Sequence, residues 1–370
     1  MTEQIDDPIE LEDQEELELA AHPHPMGTET QIRIAKEQSS VYELLRKESK
    51  GLLVLAPNFQ RIDVWDKKHK SELIESILMG IPIPLIYLFE DENGIRQIVD
   101  GKQRITALKE FINNRFTLSE LSMLPSLKGQ KFDQIPTLLQ AKLEDYQLQT
   151  YVIQPPTPES VKFNLFERVN RGGVNLNKQE MRHALYQGRA TTLLQELSES
   201  EEFKSATGFG VKSNRMRDRY LVLRFIAFYL YFTNQLPNIH YRSDIDGFLA
   251  SVMKFINHQA PTELVEHMRS VCLLGMRNTA IILGESGLRF APKPSGNKRP
   301  VNMGLFEMLV FIFCYIDVSK TNHQEIKQVI KQQKVEIDQM DLLAGSIDTT
   351  THVTERFNLA QQVIQRINHA

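Results

Sequence analysis

The chain is nearly free of cysteine: Cys272 and Cys314 are the only two among 370 residues. Two thiols cannot build a disulfide framework or a four-cysteine metal site. They read as packed thiols in a reducing compartment. Tryptophan is scarcer still, with Trp65 alone, and a single tryptophan reads first as a packing anchor. Residues 1–30 contain no Lys or Arg, so the basic start of a secretory signal is missing, and no apolar stretch follows it. Long hydrophobic runs are also missing. The longest, Leu305 to Ile316, is interrupted by Glu307; it is too short to span a bilayer and reads as a buried helix. These absences predict a cytoplasmic protein without a membrane segment. The sequence also lacks Gly-x-x-x-x-Gly-Lys-Ser/Thr, Gly-x-Gly-x-x-Gly, His-Glu-x-x-His and Cys-x-x-Cys. That excludes the common phosphate-binding loops and zinc motifs.

What is present is an ordinary globular balance, 41% hydrophobic and 24% charged. The length suits two domains better than one. Charge is unevenly spread. The net value is −4, from 47 Asp and Glu against 43 Lys and Arg, and ten of the acidic residues fall within the first thirty. Setting those ten aside leaves 37 acidic against 43 basic residues, a body of +6. Such a body permits nucleic-acid binding without requiring it. The acidic segment is either a solubilising, disordered tail or a tail that imitates nucleic acid and covers a basic face. His22-Pro23-His24-Pro25-Met26-Gly27 follows it as a linker.

Residue patterning supplies the architecture. A short helix is expected over 37–49 and a strand over 52–59. Leu73, Ile74, Ile77 and Leu78 predict a helix over 67–79, stopped by Gly80 and by Ile81-Pro82-Ile83-Pro84. A strand over 85–89 leads to Glu92-Asn93-Gly94, read as a type I′ hairpin turn. The partner strand, 96–99, runs into a helix that carries Ile105, Leu108 and Ile112 on one face. Residues 151–153 extend the sheet. Beyond Pro155-Pro156-Thr157-Pro158 helical patterns dominate, over 159–169, 178–187, 191–199, 217–233, 245–258, 261–283, 303–316, 323–333 and 353–368. The expected fold class is α+β: an acidic tail over 1–30, a small α/β domain over 31–155 and a mostly helical domain over 156–370.

Asp100-Gly101-Lys102-Gln103-Arg104 sits where the strand gives way to the helix. A helix start presents unpaired N–H groups and a partial positive charge. Gly101 admits close approach of a phosphate to the backbone, and Lys102 and Arg104 add cationic donors. Asp100 could hold Mg²⁺ or position a water, and Gln103 could orient that water or read a base. Alternatively, Asp100 caps the helix and the two cations are solvated; spacing alone does not decide. Elsewhere, Gln60 and Arg61 at a strand end are candidates for the same pocket. Asn170 and Arg171 form a polar tip that could close over a ligand. Asn177 with Glu180 has the pattern of a capping box. Arg215, Arg217 and Arg219 form one cationic cluster and Lys298 with Arg299 another. Each is either a DNA phosphate contact or a solvated face.

Taken together, Asn58-Phe59-Gln60-Arg61…Trp65, Ile81-Pro82-Ile83-Pro84, Asp100-Gly101-Lys102-Gln103-Arg104-Ile105-Thr106 and the later Phe166…Asn170…Gly173…Leu176…Glu180…Arg182 resemble the N-terminal domain of GmrSD-type restriction proteins. That domain is similar in fold to the ParB/sulfiredoxin group. The resemblance covers residues 35–190 well and, more loosely, the helical remainder including Thr351…Arg356, and implies nucleotide binding or hydrolysis in defence against foreign or modified DNA. Carried over residue by residue, it implies a site of Gln60, Arg61, Asp100, Gly101, Gln103 and Arg104, in which Asp100, Gln103 and Arg104 are the catalytic candidates and Asp100 would hold Mg²⁺ or orient the attacking water. Gln60, Arg61 and Gly101 would bind a nucleoside triphosphate, and the reading of the residues themselves adds Lys102, Thr106, Asn170 and Arg171 as candidates for the same ligand. Two departures stand out. Lys102 occupies the place of a Gln in the usual Asp-Gly-Gln-Gln-Arg motif. No His-Asn-His nuclease cluster follows residue 190, so DNA cutting would fall to a partner nuclease or another defence-system protein. The expectation is an NTPase or nucleotide sensor. The alternatives are a non-catalytic DNA-binding module and a metal-dependent DNA nickase.

Overall fold

The computed structural model describes residues 32–55, 65–170, 177–292, 299–339 and 347–368. The chain divides into two compact units, one within His24–Asn175 and one within Leu176–Ala370. The change of sequence character near 155 falls inside the first unit, because one further helix packs back onto its sheet.

The first unit begins with strand β1 (Arg33–Ser40). Ser40 then caps helix α1 (Val41–Ser49), its hydroxyl accepting from the Glu43 N–H at 3.1 Å. The helix expected over 37–49 therefore starts at Val41. The residues before it are held extended by pairing with β5 (Gln147–Gln154) along the whole of β1, and such pairing overrides local propensity. Strand β2 is short (Leu53–Val54), and the rest of the expected strand lies outside the described residues. Helix α2 (Lys67–Met79) has the predicted bounds. Asp66 caps it, accepting from the His69 N–H at 2.8 Å, and Gly80 ends it at φ 75°.

Strands β3 (Ile86–Glu90) and β4 (Arg96–Asp100) form the expected hairpin with a different turn. The Asp91 carboxylate accepts from the N–H groups of Asn93 and Ile95 at 2.9 and 2.8 Å. This Asx-type bonding holds a five-residue loop, 91–95, in which Gly94 alone has a positive φ, 75°. Helix α3 (Lys102–Ile112) follows, then α4 (Thr137–Glu144), β5 and α5 (Glu159–Asn170). The mixed sheet has the order β1-β5-β3-β4-β2. One face carries the core: Leu88, Ile98 and Val152 from the sheet, with Leu44, Ile74, Ile77, Ile105, Leu108 and Phe111 from helices. Trp65 packs at its margin. The other face meets α5, which packs against β4 and buries Val161 and Phe166.

The second unit is helical: α6 (Lys178–Leu185), α7 (Arg189–Glu199), α8 (Glu201–Ala206), α9 (Arg217–Phe232), α10 (Ile245–His258), α11 (Thr262–Leu283), α12 (Met303–Phe313), α13 (His323–Gln339) and α14 (Thr350–Asn368). Asn177 and Glu180 form the predicted capping box, each side chain accepting from the other's N–H. Every residue of α12 is buried, Glu307 included. Glu307 is neutralised by Arg224 and, at 2.6 Å, by Arg356, both also fully buried. Cys272 and Cys314 are unpaired, and burial pushes both thiols far above the ordinary range, which makes them unreactive. No helix among the described residues is long and apolar enough to cross a membrane.

Candidate functional site

The strand–helix turn lies in the first unit. In β3 and β4, Leu88 pairs with Ile98 and Tyr87 with Asp100, so Val99 is an extra residue in β4. Directly paired residues share a sheet face. Leu88 and Ile98 lie in the core; without the bulge, Asp100, two residues after Ile98, would point there too. The extra residue turns Asp100 to the opposite face, beside Tyr87. Both then line an open cleft of about 480 Å³ with Pro84, Leu85, Arg168 and Val169.

Gly101 is the N-cap of α3, at φ 98°, and no side chain caps that helix. Asp100 therefore does not serve as the cap. Its Oδ2 instead accepts from Arg104 Nη2 at 2.5 Å. Arg104 is almost fully buried, and its Nη1 donates to the carbonyls of Pro84 and, at 3.1 Å, Leu85. A β-carbon on Gly101 would stand 2.9 Å from Ile86 Cγ1. Glycine here allows close packing against Ile86 as well as the left-handed φ. Gln103 accepts from the Trp65 N–H at 3.4 Å and so ties the turn to the chain before α2. Lys102, the first residue of α3, has its pKa lowered by burial, and no carboxylate among the described residues pairs with it. Thr106 lies one turn further along α3, half-buried.

The other candidates have different placements. Gln60, Arg61, Arg171 and Lys298 lie outside the described residues, as does the Asn170 side chain. Arg215 pairs with Glu180 at 3.4 Å, and Arg219 with Glu199 at 3.5 Å; Arg217 is buried. Arg299 pairs with Asp338 at 2.9 Å and lies over the Phe290 ring. Arg215, Arg219 and Arg299 are engaged within the second unit. Among the described residues no group of three or more His, Cys, Asp or Glu is arranged to hold a metal.

Residue patterning missed Arg168, Tyr87, Tyr151 and Lys36. Register brings the last three into one row with Asp100: Lys36 pairs with Tyr151, Tyr151 with Tyr87, and Tyr87 with Asp100. The Lys36 ammonium lies 5.5 Å from the Tyr151 ring centre, and the Tyr151 and Tyr87 rings meet edge-to-face at 5.6 Å.

Residues 41–187 match the family model of the GmrSD restriction endonuclease N-terminal domain. The GmrSD match takes in the Asp100 turn, Tyr87, Tyr151 and Arg168, and stops short of β1 and Lys36. The matched family is described as the N-terminal domain of a restriction endonuclease, and the match takes in less than half of the chain. No curated protein matches the chain.

Proposed function

We propose that this chain is a nucleotide-binding component of a DNA-restriction system, acting as an NTPase or nucleotide sensor through the cleft at Asp100. One observation carries the reading: Lys102 is partly desolvated, lacks a carboxylate partner among the described residues, and starts α3 next to the bulge-turned Asp100. A desolvated cation at a helix N-terminus favours a bound anion, because the anion replaces lost hydration and meets the positive end of the helix dipole. Arg168, across the cleft, adds a second cation with no carboxylate partner among the described residues.

Arg104 holds Asp100 in place, and phosphate contact falls to Lys102, Arg168 and the first N–H groups of α3. Asp100 Oδ1 accepts no hydrogen bond among the described residues. That fits a Mg²⁺ held by one carboxylate, with phosphates and waters completing its shell. Bound there, the ion would offset phosphate charge. Alternatively Asp100 Oδ1 orients the attacking water; in both cases Gln103 supports the water and catalysis is mainly positioning. A non-catalytic DNA-binding module has less support, because its four described arginine candidates are engaged within the protein.

The test is a panel of ATP, GTP, CTP and UTP with Mg²⁺, with and without DNA, measuring binding and phosphate release. Lys102→Ala should weaken binding about tenfold. Asp100→Asn should retain binding and lose turnover. If the unsubstituted protein binds no member of the panel, the reading is wrong. Plasmid nicking abolished by Asp100→Asn would point to a nickase instead.

A further inference from the structure

We infer that Tyr87 is the wall on which the base of the bound nucleotide stacks, with Tyr151 and Lys36 as positioning residues behind it. This rests on the nucleotide reading of the cleft. Among the described residues Tyr87 is the one aromatic residue lining the cleft, and it is half-buried between the buried Ile86 and Leu88 of its own strand. Its ring is constrained from several sides. Pairing with Asp100 at the bulge sets its backbone. Edge-to-face contact with Tyr151 at 83° sets the ring plane. Lys36 over the Tyr151 ring steadies that second tyrosine in turn.

A tyrosine held this way gives up little further rotamer freedom when it stacks on a ligand. Neighbouring strands lie about 4.8 Å apart, so Tyr87 stands one strand spacing from Asp100. That places an aromatic wall beside a polar end, the layout a nucleotide needs for base and phosphates. Among the described residues, the rest of the lining near Tyr87 is Pro84, Leu85 and Val169. These side chains offer no donor or acceptor to read a base edge. Stacking on an aromatic face is tolerant of base identity, because every base has a π-face. The ligand class is therefore nucleoside triphosphates with little discrimination by base, purines binding more tightly than pyrimidines.

The test compares ATP, CTP and inorganic tripolyphosphate, a baseless probe, by calorimetry on the full chain. The unsubstituted protein should bind ATP about tenfold to a hundredfold more tightly than tripolyphosphate, the range for one stacked base. Tyr87→Leu should bring ATP down to the tripolyphosphate level and leave tripolyphosphate unchanged. Tyr87→Phe should keep the difference. Tyr151→Leu should narrow it, and Tyr151→Phe should restore it. Lys102→Ala should weaken all three probes alike. If Tyr87→Leu binds ATP as the unsubstituted protein does, the stacking wall is refuted and the nucleotide site stands. If neither nucleotides nor tripolyphosphate bind, both readings fall.

Discussion

Arg104→Ala tests whether this arginine is part of the frame or part of the ligand site. The guanidinium reaches three acceptors: the carbonyls of Pro84 and Leu85 and the carboxylate of Asp100. Arg104 is 8% exposed, so water cannot replace it freely. Each buried acceptor left without a partner costs about 1–3 kcal/mol. Asp100 contributes less, because its side chain is 36% exposed and solvent screens it. The loss comes to about 3–5 kcal/mol, a large part of the roughly 5–15 kcal/mol that stabilises a domain. Trp65 is the only tryptophan and packs in the first unit, so its fluorescence reports on that unit. At a urea slope of about 2 kcal/mol per molar, the midpoint should fall by about 2 M. Asp100→Asn keeps a neutral acceptor and should shift it by only about 0.5 M. An unchanged midpoint for Arg104→Ala would falsify the structural assignment and return Arg104 to the ligand.

Gly101→Ala should destabilise the first unit by about 2–4 kcal/mol, because φ is 98° and the new β-carbon meets Ile86 at 2.9 Å; a Trp65 melt matching the unsubstituted protein would show that the turn is not built this way. In the second unit, burial and the nearby Arg219 charge lower the His183 pKa from 6.5 to about 4. A depressed folded pKa gives stability that is present above pH 6.5 and lost as pH falls towards about 4. The loss should reach about 3 kcal/mol, read as a falling denaturant midpoint by circular dichroism. His183→Gln should flatten that dependence, and an equally steep profile in the variant would assign it to other groups.

The caps were legible because a cap is a local event. Gly80 after Met79 and Asn177 with Glu180 satisfy helix ends within three residues of sequence, so their signals survive without tertiary information; Asp66, which caps α2 through the His69 N–H, is equally local but went unread. The Asp100 turn was legible for the same reason, as a junction between two periodicities. The start of α1 was not, since eight residues of β1 are held extended by partners more than a hundred positions away. The partners of the basic cluster at 215–219 were hidden in the same way. Its carboxylate partners Glu180 and Glu199 come from α6 and α7, and sequence spacing cannot show that they arrive.

The aromatic row shows why half of a candidate site can be visible and the other half hidden. Asp100 was found because it precedes a glycine and two cations. Tyr87, Tyr151 and Lys36 have no such neighbours, and each reads as an ordinary strand residue. They become a row only through the β1–β5–β3–β4 register, and Asp100 joins the row only because Val99 is an extra residue. A one-residue change of register turns a strand residue to the other face. Deleting Val99 would send Asp100 towards Ile98 and the core, and the motif Asp-Gly-Lys-Gln-Arg would remain intact in sequence. The motif therefore marks where the turn is, and the bulge decides which side of the sheet its carboxylate serves.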